Sequence, residues 1–191
     1  PDIGGDFIPN VYVVTNRTIE KDREGSLIFS NTVDTVNALK YLRVSSHEGV
    51  YDASLYNSLG EMIRDPLPYK DWVGWVHGDG QSFLLSMKRA IEIQHLHQVN
   101  LLVFSWPTQA PDKGPIGNHK NSRKNAELTV SSLQDLLFAL QEYRSIPGNM
   151  MEENNLSIFF HSLANLVLQQ AVEQGVLNGI SVDLFDNLIL N

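Results

Sequence analysis

Leu156-Ser157-Ile158-Phe159-Phe160-His161-Ser162-Leu163-Ala164-Asn165 is the stretch from which the fold is read. Five strand-forming residues without polar alternation lead into His161-Ser162, and a helical pattern follows from about Leu163 to Gln174. An apolar run of this kind fits a strand covered on both faces, as in a parallel sheet.

The same signature recurs upstream. Val11-Tyr12-Val13-Val14-Thr15, Trp72-Val73-Gly74-Trp75-Val76 and Leu101-Leu102-Val103-Phe104 read as buried strands. Ser26–Phe29 and Leu39–Val44 read as further strands, and Phe185–Leu190 as the last. A helix is expected from about Gln81 to Gln98, with Leu84, Met87 and Ile91 at helical spacing. A second carries Leu133, Leu136, Leu137 and Leu140 as an i, i+3, i+4, i+7 stripe. Residues 45–69, punctuated by Gly49, Gly60, Pro66 and Pro68, are expected to be irregular with one short helix. A Gly/Pro-rich loop is expected from Thr108 to about His119. Strands alternating with helices predict an α/β fold with a mostly parallel central sheet and helices on both faces. Ligands of such sheets bind outside the carboxyl ends of the strands. His77 to Gln81, Ser105 to Thr108 and His161-Ser162 occupy those ends.

Composition narrows the function classes. A chain of 191 residues with 42% hydrophobic and 19% charged residues fits one globular domain over 1–191. A formal net charge of −8 disfavours nucleic-acid and anionic-membrane partners, which reward Lys/Arg patches. His119-Lys120-Asn121-Ser122-Arg123-Lys124 is the one basic stretch and reads as a solvated loop or helix start. With no cysteine, disulfides, thiolate zinc sites and cysteine nucleophiles are excluded. No His pair has i, i+4 spacing, so no metal site is expected. No apolar run approaches the ~18–20 residues of a membrane span. The start at Pro1-Asp2-Ile3-Gly4-Gly5 reads as a processed end, compatible with a cytoplasmic protein or one exported after signal removal.

Ser162, between strand and helix, carries the sharpest chemical reading. A tight strand–Ser–helix turn lifts a hydroxyl clear of the sheet and aims a helix N-terminus at it. The Leu163 N–H, in the first turn, is free to act as an oxyanion donor. The competing reading makes Ser162 an ordinary N-cap. His77-Gly78-Asp79-Gly80 adds a second feature. A glycine turn there lets backbone approach closely and can present another N–H, from about Asp79 or Gly80. His77 is expected to brace that turn through hydrogen bonds.

Taken together, Val13-Val14-Thr15-Asn16-Arg17, Val76-His77-Gly78, Val103-Phe104-Ser105-Trp106-Pro107-Thr108 and Phe160-His161-Ser162-Leu163-Ala164-Asn165 resemble a known pattern. It is that of a bacterial α/β-hydrolase family of unknown function, with a TNR start, an HG-aromatic turn, a WPS segment and an HSMGN elbow. The resemblance runs from about Val11 to Asn191. It implies an α/β-hydrolase fold, Ser162 as nucleophile, and the backbone of Asp79 and Leu163 as oxyanion donors. It further implies esterase- or lipase-like action on a carboxylic ester or amide, with no cofactor.

Three departures separate the chain from that pattern. G-x-S-x-G becomes Phe160-His161-Ser162-Leu163-Ala164, and Asp79 replaces the aromatic residue. After Ser162 there is no histidine, and the only acids are Glu173, Asp183 and Asp186, all expected at the surface. The fold's triad runs Ser, acid, His, so the acid and base are expected in sequence beyond residue 191. An incomplete sheet would leave an open edge that favours self-association. Among upstream histidines, His119 is the one considered as an out-of-order base; His95 and His97 are expected at the surface. Two readings stand: a serine hydrolase completed elsewhere, and a catalytically inactive hydrolase-fold binding module. A nucleotide binder is weaker, since neither G-x-G-x-x-G after the first strand nor G-x-x-x-x-G-K-[ST] occurs.

Overall fold

Residues 10–37, 39–47, 49–64, 66 and 71–191 are described by a computed structural model. The start at Pro1–Gly5, and Pro68 with its neighbours, lie outside the described residues. Among the described residues, nine strands and four α-helices follow in order: β1 (Asn10–Thr15), β2 (Arg17–Lys21), β3 (Leu27–Val33), β4 (Lys40–His47), β5 (Val50–Tyr56), α1 (Leu59–Met62), β6 (Trp72–Val76), α2 (Phe83–His97), β7 (Asn100–Ser105), α3 (Gly114–Arg144), β8 (Leu156–Phe160), α4 (Ala164–Glu173) and β9 (Asn187–Leu190).

The central sheet has the order β5-β4-β1-β7-β6-β8-β9, and β2 and β3 form a separate hairpin. Five strands, β1, β7, β6, β8 and β9, are joined by parallel pairings; β4 runs antiparallel to both β1 and β5. The expected mixed α/β architecture with a mostly parallel sheet is therefore present. The chain passes from β6 to β7 on one side, then crosses back to β8 on the other. Such a reversal creates a crevice at the carboxyl ends.

Alternation along β1 divides the core. Tyr12 and Val14 face a layer formed by α1, α3 and α4, and Leu133, Leu136 and Leu140 of the predicted stripe are buried in it. Val11 and Val13 face the opposite layer, with Met87 and Ala90 of α2. Ile19, Leu27 and Phe29 of the β2–β3 hairpin pack against that second layer, and Phe29 stacks on Phe83 at 3.6 Å.

Two expectations about connections are corrected. Residues 45–69 are not mainly irregular: β4 continues to His47 and β5 follows before the short helix α1. Strand β5 is a half-exposed edge strand without an apolar run, so its signal was masked by the surrounding Gly and Pro. The loop after Trp106-Pro107 ends sooner than expected. A 3₁₀ turn at Pro111–Lys113 passes into α3 at Gly114, with Pro115 near its start. Proline is accepted in a first helical turn, where its missing N–H costs nothing. His119 is consequently a helix residue.

Strand β9 forms the sheet edge, with Leu188, Ile189 and Leu190 between 46% and 58% exposed. Exposed apolar side chains on a strand at the edge of a sheet favour edge-to-edge association. We expect concentration-dependent self-association in gel filtration that Ile189→Lys reduces; a clean monomer at all concentrations would remove the expectation.

Candidate functional site

Parallel register brings three turns to one level. Val76 of β6 lies opposite Phe104 of β7 on one side and Phe160 of β8 on the other. His77-Gly78, Ser105-Trp106 and His161-Ser162 therefore emerge together at the carboxyl edge. The His161 N–H donates to the Val76 carbonyl at 3.0 Å, extending the β6–β8 ladder to the elbow itself.

Ser162 adopts a left-handed φ of +54° and is exposed. The other non-glycine residue with positive φ among the described residues is Gln98, at the C-cap of α2. Helices commonly end in that conformation, whereas Ser162 holds it at a strand-to-helix turn. Such backbone costs about 1–3 kcal/mol and persists only where its surroundings impose it. Here the Ser162 N–H donates to the Asn191 carbonyl at 2.6 Å, and Asn165 Nδ2 donates to the carbonyls of Ser162 and Asn191 at 2.9 and 2.8 Å. No side chain caps α4, whose N-cap position is Leu163. The N-cap reading of Ser162 is thereby removed, because its hydroxyl accepts no first-turn N–H.

Gly78 explains how the elbow fits. A Cβ at this position would lie 2.8 Å from Ser162 Cβ, 2.9 Å from the His161 carbonyl oxygen and 3.0 Å from His161 Nδ1. The His77–Gly80 turn thus packs directly against the β8–α4 turn. Phe160 causes no crowding, since its side chain is buried in the layer of α3 and α4 together with Ala164. The need for a small residue falls on the neighbouring strand instead.

His77 is fully buried. The Trp106 N–H donates to its Nε2 at 3.2 Å, while Nδ1 lies 3.0 Å from the Gly78 carbonyl. Those partners fix a neutral ring with the proton on Nδ1. Burial, followed by the charge of Arg17, pushes its pKa down to about 3. Trp106 returns a hydrogen bond from Nε1 to the His77 carbonyl at 2.8 Å, and the two rings stack. Fully buried, His77 holds its turn to the segment after β7 through these hydrogen bonds and presents no ring surface to a ligand.

Of the two N–H groups considered in the His77–Gly80 turn, those of Asp79 and Gly80, only that of Gly80 is hydrogen-bonded among the described residues. The Gly80 N–H is already donated, to the Thr108 carbonyl at 3.1 Å and to Asp79 Oδ1 at 2.7 Å. The N–H groups of Asp79 and Leu163 have no acceptor among the described residues. The Asp79 carboxylate turns towards α3. Its Oδ1 accepts from Ser122 Oγ at 2.6 Å and Asn118 Nδ2 at 3.0 Å, and its Oδ2 lies 3.0 Å from His119 Nδ1. Burial raises its pKa, but hydrogen bonds from Ser122, His119 and Gly80 outweigh that and hold it below the ordinary carboxylate range.

No triad is assembled around Ser162. His119 pairs with Asp79, and no imidazole is within hydrogen-bond reach of the Ser162 hydroxyl among the described residues. Glu173 is exposed at the end of α4, pairing with Gln169. Asp186 accepts from the Leu156 N–H at 2.7 Å, at the opposite end of β8, with Asp183 nearby in the chain. His95 and His97 are exposed at the far end of α2.

Arg17 entered the sequence reading only within the Thr15-Asn16-Arg17 motif, with no role given to it. It is 0% exposed, and its guanidinium donates to Ser105 Oγ, Asn31 Oδ1 and the carbonyls of Ser30, Gln81 and Trp106 at 2.7–3.2 Å. Desolvation lowers its pKa to about 9, so it remains charged at neutral pH. The strand-end rule that drew attention to Ser162 applies equally to Thr15-Asn16-Arg17 after β1, and would have found it. Thr15 Oγ1 donates to the Ser105 carbonyl at 2.5 Å, and Asn16 Nδ2 to Thr129 Oγ1 at 3.0 Å.

No helix among the described residues is long and apolar enough to cross a membrane. Comparison with protein-family models, curated proteins and solved structures found no match to the chain.

Two outcomes follow from this geometry. Ser162→Gly relieves the left-handed φ but gives glycine's extra freedom to the unfolded chain, for a net gain of about 0.5–1 kcal/mol in urea unfolding; a loss would contradict the strain. For His77, the folded pKa lies below the unfolded value of about 6.5. Its contribution is complete above that value and lost as pH falls towards 3. Unfolding at pH 4 against pH 7 should show about 2–3 kcal/mol of lost stability from this group, and His77→Gln should reduce the difference.

Proposed function

We propose that this chain is an α/β-hydrolase-type domain in which Ser162 is the nucleophile of acyl transfer from a carboxylic ester or amide. The observation that carries the reading is the exposed Ser162 at φ +54° on the β8–α4 turn, pressed against Gly78. A serine held in this way between strand and helix is the local geometry of a nucleophile elbow. In the reaction, Ser162 Oγ forms a bond to the substrate carbonyl carbon while the C=O electron pair moves to oxygen. The Leu163 and Asp79 N–H groups receive that oxyanion. The serine proton passes to a base; as the oxyanion collapses to re-form C=O, the C–O or C–N bond to the leaving group breaks and the base protonates the leaving alcohol or amine, after which water releases the acyl group.

The reading requires a base other than the described imidazoles, supplied by further sequence or in trans. A second reading, a catalytically inactive hydrolase fold serving as a binding module, is favoured by the lack of any imidazole hydrogen-bonded to the Ser162 hydroxyl among the described residues. Fold alone does not choose between them.

A fluorophosphonate probe followed by intact-mass measurement separates the two. Under the hydrolase reading, a single adduct forms and is absent from Ser162→Ala. Without a histidine in reach, labelling should climb steadily with pH, whereas a plateau with a midpoint near 6–7 would identify a histidine base. No adduct on intact protein would sink the hydrolase reading for this chain and leave the binding module.

A further inference from the structure

We infer that Arg17 is a positioning residue that clamps the oxyanion turn against Ser162, an inference that rests on the proposed reaction. Its guanidinium is buried with no carboxylate partner among the described residues; every acceptor is neutral. Burying a charge without a counter-ion is costly, and simple packing at the end of β1 needs only an apolar side chain. What the guanidinium adds is a rigid fork of donors that ties several segments at once.

The segments it ties are those that frame the elbow. Nη2 donates to the Trp106 carbonyl at 2.7 Å and to the Gln81 carbonyl at 3.1 Å, and Nε donates to Ser105 Oγ at 3.1 Å. Nη1 reaches the β2–β3 hairpin at Ser30 and Asn31. Gln81 ends the turn that begins at His77, so one nitrogen holds both the exit of that turn and the segment after β7. From Trp106 the network continues to His77, and from His77 to the Gly78 carbonyl. A Cβ at Gly78 would lie only 2.8 Å from Ser162 Cβ, so this residue packs directly against the β8–α4 turn. The Arg17 charge also helps keep His77 neutral. A protonated ring would turn Nε2 into a donor facing the Trp106 N–H and open the network.

Arg17→Lys keeps the charge and loses the fork; Arg17→Met loses both. Amide exchange at Gly80 and Gln81, whose N–H groups are bonded to Thr108, reads the turn. Leu102 and Val103 of β7 read the sheet, fluorophosphonate labelling reads Ser162, and an NMR titration reads the His77 ring. For Arg17→Lys we expect about tenfold faster exchange at Gly80 and Gln81, unchanged protection in β7, and about tenfold slower labelling with His77 still neutral. For Arg17→Met we expect the same changes and a His77 midpoint moved upward. If Arg17→Met fails to fold, Ser105→Ala removes one acceptor of the same fork and should shift exchange in the same direction. Exchange at Gly80 and Gln81 within twofold of the parent in Arg17→Lys would overturn the inference, as would loss of protection in β7 to the same extent. A parent protein that does not label would defeat the proposed reaction, while the exchange data would still decide whether Arg17 clamps the turn.

Discussion

Gly78 against Ser162 is the contact on which the candidate site depends. A methyl group on Gly78 would overlap the Ser162 side chain and the His161 carbonyl, so the two turns can meet only because one carries no Cβ. That approach lets the elbow keep its left-handed backbone with Phe160 and Ala164, rather than glycines, two positions to either side. The steric demand of the elbow is met by the neighbouring strand.

Around this contact one set of polar groups is joined by hydrogen bonds, while Gln81 Oε1, His161 Nδ1 and Asn165 Oδ1 are buried without a partner among the described residues. His77, Trp106, Arg17, Gln81 and Thr108 form a connected set of buried hydrogen bonds at the carboxyl edge of β6 and β7. In a low-dielectric interior such networks are strong when complete and costly when broken. This one holds a histidine that burial keeps neutral beside an arginine that stays charged despite its burial. It leaves the N–H groups of Asp79 and Leu163 without acceptors among the described residues, which is the electrostatic condition for receiving an anion. The Asp79 carboxylate, a departure that threatened this arrangement, is engaged with Ser122, Asn118 and His119 on α3 instead.

Much of the architecture was legible locally. Val11–Thr15, Trp72–Val76, Leu101–Phe104 and Leu156–Phe160 are strands without polar alternation because both faces are covered, and composition alone reports that. The Leu133–Leu140 stripe marks the buried face of α3. Strand β5 was hidden because an edge strand needs no apolar run. The early start of α3 was hidden because Gly114 and Pro115 signal a loop and a helix N-terminus alike.

The sequence by itself determined that apolar strands alternate with helices, and that Ser162 stands between one strand and the next helix. Both are properties of residues adjacent in the chain. Only the tertiary structure decided that Gly78 touches Ser162, that His119 pairs with Asp79, and that Arg17 reaches Gln81 and Trp106. Those contacts join residues about 40 to 90 positions apart, and they depend on strand order and register. Neither is encoded in any local pattern, since the same apolar strand packs equally well at several places in a parallel sheet.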